Sequence, residues 1–318
     1  MTEKLALGVD LGGTKIAFAL VTEKGEVVAS HRLPTPVLDG AEAVFKQIAA
    51  GIQHLVNQAK KPIVGIGIGS PGHLNPHTGL IHNASNLAWR DVNLLEGVRR
   101  HFETELPMWL QKDANTSALS ELYFGAAQGY SDFVIITIGT GLGGGAVVAG
   151  EIVDGADYSG MEIGHMPLNP NGRICVCGMH GCPEMYVSGV GILAGAHEYL
   201  PNYPDSSLAG VDEITTEAIL NAFQENDRLA IRLIDEMADW LSSVMIACMG
   251  ILNPALFVIG GGLGHAVYDD LKSRVREKIR SRTRREIHRE VPIVESTIKD
   301  TAMGPASIVW HKLKDVST

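Results

Sequence analysis

At 318 residues the chain has room for one large domain or two ordinary ones, each with a substantial core. Apolar residues make up 45% and charged residues 19%, a balance that excludes an intrinsically disordered chain. The 26 basic and 36 acidic residues give a net charge of −10, which argues against a general nucleic-acid binder. Along the chain, residues 5–9 form a short β-rich run, Gly12-Gly13 a turn and 16–21 a second strand. Lys24-Gly25 turns again into 27–33, so an antiparallel meander is expected. Ala41, Val44, Phe45, Ile48, Ile52, Leu55, Val56 and Ala59 recur at helical spacing, and 63–68 reads as a buried strand. A short strand precedes Asp113, with a helix expected from about Thr116.

The same pattern then recurs. Residues 133–138 read as a strand, 139–145 as a glycine turn and 146–149 as a returning strand, with Gly150 leading to Ile152-Val153. Two such units in one chain predict a duplicated α/β architecture with two lobes, and ligand sites favour the clefts of such folds. Helices are expected over roughly 183–199 and 215–252, the second stopped by Asn253-Pro254. A strand over 256–259 runs into Gly260 to Gly264, and a last helix, about 302–313, is expected to pack back on the first lobe. Met1-Thr2-Glu3-Lys4 lacks a signal-peptide pattern, and the longest apolar stretch, 240–263, is interrupted by Asn253-Pro254 and glycines. No membrane span is expected, and the cytoplasm is the expected compartment.

Three of the four cysteines fall in one short stretch with a histidine: His165, Cys175, Cys177 and Cys182. A Cys3His set is a usual closed zinc site, so a structural Zn²⁺ is expected, with Glu162 and Glu184 flanking it on a pinned loop. Cys248, among Val244, Ile246 and Ile251, is expected in the core. The arginine-rich stretch 272–289 carries Glu277 and Glu286 and reads as a solvated helix face rather than a nucleic-acid patch.

Three glycine-rich turns each follow an apolar strand: Asp10 to Lys15, Gly139 to Gly145 and Gly260 to Gly264. Successive N–H groups in such turns can face phosphate oxygens, although none matches GxxxxGK[ST] or a GxGxxG opening a βαβ unit. Asp10 is a candidate to hold Mg²⁺ against phosphates, or a turn-forming Asp bonded to its own backbone. Thr14 and Lys15 are candidate phosphate contacts, or solvated hairpin residues. Asp113 is either a residue stabilising its helix start or a general base removing a proton from an attacking hydroxyl.

Together these motifs resemble the ROK family (repressors, open reading frames and sugar kinases) of the actin-like and hexokinase-like ATPase superfamily, over essentially the whole chain. The most specific match is Glu162-x-Gly-His165 followed by Cys175-x-Cys177-Gly-x-x-Gly-Cys182-x-Glu184. Ser70-Pro71-Gly72 and Asn86-Leu87-Ala88-Trp89-Arg90-Asp91-Val92 are similar to the sugar-facing loops of the family's glucokinases. The resemblance implies an α/β, two-lobed, duplicated actin-like ATPase (ribonuclease H-like) fold with a zinc-binding loop. Residues 1–114 plus 302–318 would form the smaller lobe, and 115–301 the larger lobe with the zinc loop and dimer helices. It implies ATP- and Mg²⁺-dependent phosphorylation of a hexose 6-hydroxyl, glucose first, with N-acetylmannosamine, N-acetylglucosamine or fructose as alternatives.

By the same resemblance Asp113 is the base, and Gly72, Asn86, Glu162, His165 and Glu184 join it around the sugar. His165 would also serve zinc through its other ring nitrogen. Asp10, Gly12, Gly13, Thr14, Lys15, Gly139, Thr140, Gly141, Gly143, Gly144, Gly261 and Gly262 would line the nucleotide, and a homodimer is expected, partly from the apolar helix near Trp240. One departure stands out. Family kinases often carry Asn before the catalytic Asp, and here that residue is Lys112, which bears on sugar preference. The family's repressors need a helix-turn-helix ahead of the first phosphate loop, which the few residues before the first strand do not supply.

Overall fold

The computed structural model describes residues 3–315. Its contacts divide the chain into two units, 3–131 with 151–160 and 297–315, and 132–150 with 161–296. The first unit opens with β1 (Leu5–Leu11), β2 (Lys15–Thr22), β3 (Val27–Pro34) and α1 (Ala41–Gln58). After these come β4 (Ile63–Ser70), a small three-stranded sheet of β5 (His73–Asn75), β6 (Leu80–Ala84) and β7 (Trp89–Asn93), and α2 (Leu94–Arg99). β8 (Met108–Lys112) then leads directly into α3 (Asp113–Phe124). The main sheet runs β3-β2-β1-β4-β8, with β1 antiparallel to β2 and parallel to β4, and β4 parallel to β8.

The second unit repeats that frame. β9 (Phe133–Ile138) pairs antiparallel with β10 (Leu142–Val148), as β1 does with β2. β11 (Glu151–Ile152) begins the ten-residue excursion 151–160 that belongs to the first unit. After the cysteine loop come α4 (Glu184–Val187), α5 (Gly189–Tyr199), α6 (Thr216–Gln224) and α7 (Arg228–Ile251). β12 (Leu256–Gly260), α8 (Gly262–Ala266), α9 (Tyr268–Arg282), α10 (Glu286–Glu290) and β13 (Ile293–Glu295) complete it. β12 lies parallel to β9 and β13 parallel to β12, so this unit's own strands run β10-β9-β12-β13, matching β2-β1-β4-β8. The duplicated α/β plan read from the two strand–turn–strand patterns is therefore present. Finally α11 (Met303–Asp315) returns to the first unit.

A division of labour by residue size builds the first unit. In β1 the large residues Leu5, Leu7, Val9 and Leu11 share one face with Phe18, Ile66 and Ile68, and α1 packs there through Val44, Ile48, Ile52 and Leu55. The alternate positions are small: Ala6, Ala17 and Ala19 meet Ala302, Ala306 and Val309 of α11. Because successive strand residues point to opposite faces, the small face lets a helix backbone approach closely. A Cβ added to Gly8 would stand 2.0 Å from the Ala302 carbonyl oxygen, and one on Gly67 would stand 1.9 Å from that of Pro305. The expected return of the last helix onto the first lobe is thus built into the glycine and alanine positions of β1 and β4.

Several boundaries differ from expectation. α3 starts at Asp113 rather than Thr116 and belongs wholly to the first unit, where it packs on α11, so that unit continues to 131 instead of ending at 114. The turn expected over 139–145 shrinks to 139–141, because Gly143, Gly144 and Gly145 pair with Thr137, Ile136 and Ile135 in the ladder. The helix expected over 183–199 breaks at Ser188, whose extended backbone lets its hydroxyl accept from the Gly191 N–H at 3.2 Å and cap α5. The helix expected over 215–252 breaks at Asn226, with φ +63°, and Asp227 caps α7 by accepting from the N–H groups of Leu229 and Ala230.

The apolar face of α7, offered as a ground for a dimer, is consumed inside its own unit. Leu233, Met237, Leu241, Val244 and Met245 are buried, Cys248 lies in the core as expected, and Trp240 stacks on Tyr186 at 3.7 Å. The arginine-rich helix α9 is likewise more than a solvated face. Arg274 pairs with Asp235, while Lys278 and Arg282 both pair with Asp239 of α7. No helix among the described residues is long and apolar enough to cross a membrane.

Gly67→Ala is expected to lower the unfolding free energy by about 2–3 kcal/mol, the ordinary cost of forcing extra volume into a tight contact. Gly210→Ala, where no atom lies within 4 Å of the added carbon, is the control and is expected to be near neutral. Equal denaturant midpoints for the two variants would contradict this account of helix-on-sheet packing.

Candidate active site

In the first unit the candidate residues gather at the carboxyl ends of β1, β4 and β8, where open α/β sheets bind ligands. Asp10 of β1 is in register with Gly69 of β4, and Ser70 of β4 with Lys112 of β8, which hands over to Asp113. Asp10 and Asp113 thus stand at the ends of strands two ladder steps apart, about 10 Å by strand spacing. The turn after β1 is closed by the Gly12 N–H donating to the Lys15 carbonyl at 3.0 Å, and the Thr35 hydroxyl donates to the Gly12 carbonyl at 2.7 Å. Thr14 and Lys15 are exposed. Gly13 lies against Asn86, and a Cβ there would stand 2.8 Å from the Asn86 carbonyl oxygen. Gly72, at φ +100°, lies against Asn83 and Ala84, two residues before Asn86. Gly72, Asn86 and the first glycine turn therefore belong to one surface. Trp89, in the same resembling stretch, is instead a core residue packed edge-on to Phe45 at 5.7 Å.

Asp113 is the first residue of α3 and is exposed. Its Oδ1 accepts from the Ala114 N–H at 2.7 Å, and its carbonyl accepts from the Thr116 and Ser117 hydroxyls. The helix-start reading is met by the bond from the Ala114 N–H, and the carboxylate is exposed at the carboxyl end of the sheet. Lys112 is buried and its Nζ donates to the Gly160 carbonyl at 2.8 Å.

Asp10 has partners that local sequence did not reveal. Its side chain lies on the small-residue face of β1, toward the start of α11, and bonds the Thr301 side chain. Burial pushes its carboxyl above the ordinary value; Thr301 and then Lys15 pull it back, and Asp300 adds to the push. Asp300 itself accepts from the Ala302 N–H at 3.0 Å, so in sequence it shows only as the start of a helix.

In the second unit, the turn 139–141 is held from outside. The Gly189 and Val190 N–H groups at the start of α5 donate to the Gly139 and Thr140 carbonyls at 2.8 and 3.1 Å. Gly261, at φ +86°, passes so close to β9 that a Cβ would stand 2.4 Å from the Ile138 carbonyl oxygen, which places Gly261 and the exposed Gly262 beside the end of β9. Gly144 serves packing, since its missing side chain makes room for Ile163, just ahead of His165. Gly143 lies in the same strand.

The donor atoms of His165, Cys175, Cys177 and Cys182 all lie within 4.8 Å of one another. Cys175 Sγ is 3.6 Å from His165 Nδ1, and Cys177 Sγ is 3.6 Å from Cys182 Sγ. A tetrahedral zinc with ordinary bond lengths sets edges of about 3.8 Å between two sulfurs and about 3.6 Å between sulfur and nitrogen. The spacing fits that ion and is too long for a disulfide. Burial pushes the Cys182 thiol up to about 12, with the Cys177 and Cys175 thiols adding to the push, so ionised thiols here need a cation. Because Nδ1 of His165 faces the sulfurs, Nε2 is the nitrogen left for another partner. Glu184 begins α4; its Oε2 accepts from the Leu142 N–H at 3.1 Å and its Oε1 lies 4.0 Å from Cys175 Sγ. Glu162 is exposed, and its carbonyl accepts from the His165 N–H at 3.0 Å.

A second anchor holds this loop and is invisible in the motif. Arg173 donates to Glu198 at 2.7 Å, to Glu236 at 2.8 Å and to the Met185 carbonyl at 2.8 Å, and its guanidinium lies 4.4 Å from the Tyr186 ring centre. Its own N–H donates to the Tyr186 hydroxyl at 2.7 Å. An arginine with its charge paired and its plane on an aromatic ring ties the loop to α5 and α7.

A family model described as the ROK family matches residues 6–312. A glucokinase of Halalkalibacterium halodurans is 36% identical over 276 residues, which cover 84% of this chain and 82% of that protein. A glucokinase of Thermotoga maritima is 33% identical over 314 residues, 96% of this chain and 98% of that one. The solved structure of a ROK family glucokinase from Streptomyces griseus, in complex with glucose and AMPPNP, matches with a TM-score of 0.78 at 28% identity, covering 96% and 98% of the two chains.

A carboxyl that ionises less readily folded than unfolded costs stability as pH rises through the ordinary carboxylate range and beyond. Asp10→Asn is therefore expected to raise the thermal midpoint of the ligand-free protein at pH 7, with the gap closing as pH falls toward the ordinary carboxylate pKa. A variant midpoint equal to or below the parent's at pH 7 would contradict the electrostatic reading of Asp10.

Proposed function

This chain belongs to the ROK family, and from that premise we propose that it is an ATP-dependent hexokinase that phosphorylates glucose at the 6-hydroxyl. The observation that carries the proposal is the similarity to glucokinases over nearly the whole chain, 96% of it in the Thermotoga maritima protein. The finer fold reading, an actin-like ATPase frame with a zinc-binding loop, goes with it. So does the assignment of the individual site residues.

In this reading Asp113 accepts the proton of the 6-hydroxyl as that oxygen bonds the γ-phosphorus and the bond to the β,γ-bridging oxygen breaks, releasing ADP. Its exposed position at the end of β8 supports the role. Gly72, Asn86, Glu162, His165 and Glu184 hydrogen-bond the sugar. Glu184 can give it only what its bond to the Leu142 N–H leaves over. The turns at Gly12 to Lys15 and Gly139 to Gly141, with Gly261 and Gly262, take the nucleotide; Gly143 is a ladder residue of β10, and Gly144, packed on Ile163, drops out of the nucleotide set. Asp10, with Thr301 and Asp300 beside it, offers hard oxygen donors that suit Mg²⁺, which when bound neutralises phosphate charge. His165, Cys175, Cys177 and Cys182 would hold a structural zinc, which when bound fixes the imidazole whose other nitrogen meets the sugar. Positioning and electrostatics supply most of the acceleration. The homodimer implied by the resemblance is proposed on that ground alone.

A coupled ADP-release assay over glucose, mannose, fructose, N-acetylglucosamine and N-acetylmannosamine tests the reaction, with glucose expected to give the highest kcat/KM. Asp113→Asn is expected to lower kcat by about 10²–10⁴-fold, the usual weight of a general base, with glucose affinity within about threefold. Parent-like turnover in that variant would remove Asp113 from the mechanism, and a higher kcat/KM for an acetylated hexosamine would overturn the choice of sugar.

A further inference from the structure

The three residues nearest Asp113 that carry long polar side chains all grip one segment. Gln111 Nε2 donates to Asp154 Oδ1 at 3.0 Å, and Asn115 Nδ2 donates to the same oxygen at 2.7 Å. Gln111 Oε1 accepts from the Lys112 N–H at 2.8 Å and from Asn115 Nδ2 at 3.3 Å, so the two amides also brace each other. Lys112 Nζ reaches the far end of the segment, at the Gly160 carbonyl. The segment closes on itself through the Gly160 N–H, which donates to the Asp154 carbonyl at 2.8 Å. A Cβ on Gly160 would stand 2.4 Å from the Val153 carbonyl oxygen, so the turn is tight as well as bonded.

Burying an ammonium is costly unless it is hydrogen-bonded and near negative charge. Lys112 is buried, and what it secures is a backbone carbonyl, with the half-buried Asp154 carboxylate in the same network. Gln111, Lys112 and Asn115 are too far inside the first unit to meet solvent freely, being buried or nearly so. The residue immediately before Asp113 is therefore bonded to the residue two positions before Glu162. The stretch 154–160 is thereby held to the strand and helix that carry Asp113.

We propose that Lys112 is a positioning residue for hexose binding, acting through the Gly160 carbonyl to fix the start of the segment that carries Glu162, with Gln111 and Asn115 securing the other end at Asp154. This rests on the kinase reading given above and deepens it: Lys112 acts on the sugar through the segment it ties down. Its effect falls on the hexose rather than on ATP, since the segment it secures leads to a residue assigned to the sugar.

The test compares Lys112→Met, which keeps the aliphatic stem and removes the ammonium, with Lys112→Arg, which restores a cation and donors. Hexose KM is expected to rise about tenfold in Lys112→Met while ATP KM stays within twofold, and to return to within about threefold in Lys112→Arg. Hydrogen–deuterium exchange on the full chain is expected to show faster exchange over 154–162 in Lys112→Met, with the amides of β1 unchanged. Parent-like hexose KM with unchanged exchange would overturn the proposal. So would a parallel loss of hexose and ATP affinity with a lower thermal midpoint, the mark of a merely structural residue. A parent protein inactive on every sugar would overturn the kinase reading instead, and unchanged exchange over 154–162 in Lys112→Met would then still refute the clamp.

Discussion

Under the proposed kinase reading, the arrangement of one imidazole constrains the rest of the sugar-facing chemistry. A histidine meant to hydrogen-bond a polyhydroxylated ligand must be fixed in ring orientation and tautomer, and an isolated surface histidine is fixed in neither. Here Nδ1 of His165 stands 3.6 Å from Cys175 Sγ, inside a cluster of four donor atoms that lie within 4.8 Å of one another. That uses one nitrogen and leaves Nε2 in a defined place. The loop does not depend on the cluster alone, because Arg173 ties it to α5 and α7 with two carboxylates and an aromatic face. In the proposed site a metal held by the cluster would orient the ring, while the Arg173 guanidinium seats the loop.

The surroundings of Asp10 rest on a different device, close packing made possible by small residues. Gly8 and Gly67 let the backbone of α11 lie almost on the sheet, and this brings Thr301 and Asp300 to Asp10. A sheet face built of large residues would hold the helix several ångströms further off. Asp10 would then lose the hydroxyl that steadies its carboxylate. Packing in the core and electrostatics at the site are in this sense one arrangement, and the burial that raises the Asp10 pKa is part of what makes it a functional candidate.

How much of this was legible depended on whether the signal was local. Strand alternation in Leu5–Leu11 and Ile63–Ser70, the periodicity of α1 and the recurrence of a strand, a glycine turn and a strand were readable, because each is a short-range pattern. The cysteine–histidine cluster was readable because its four residues lie close in sequence with telling chemistry. Asp300 and Thr301 were not, since before a helix an acidic residue and a threonine signal only its cap. Arg173 was not, since its partners Glu198 and Glu236 lie 25 and 63 residues away. The excursion 151–160 carries no local signal, since glycines and aspartates are what any loop contains. Gly143 to Gly145 misled in the opposite direction: a glycine run suggests a turn, but these glycines form a strand, and Gly144 makes room for Ile163.

The most direct measurement is zinc-edge X-ray absorption on the purified protein, with metal content determined in parallel and glucose binding followed on the same samples. One zinc per chain is expected, with three sulfurs near 2.3 Å and one nitrogen at about 2.0–2.1 Å, and its removal should weaken glucose binding more than nucleotide binding. A metal-free protein with oxidised cysteines that binds glucose as tightly as the loaded form would contradict the account.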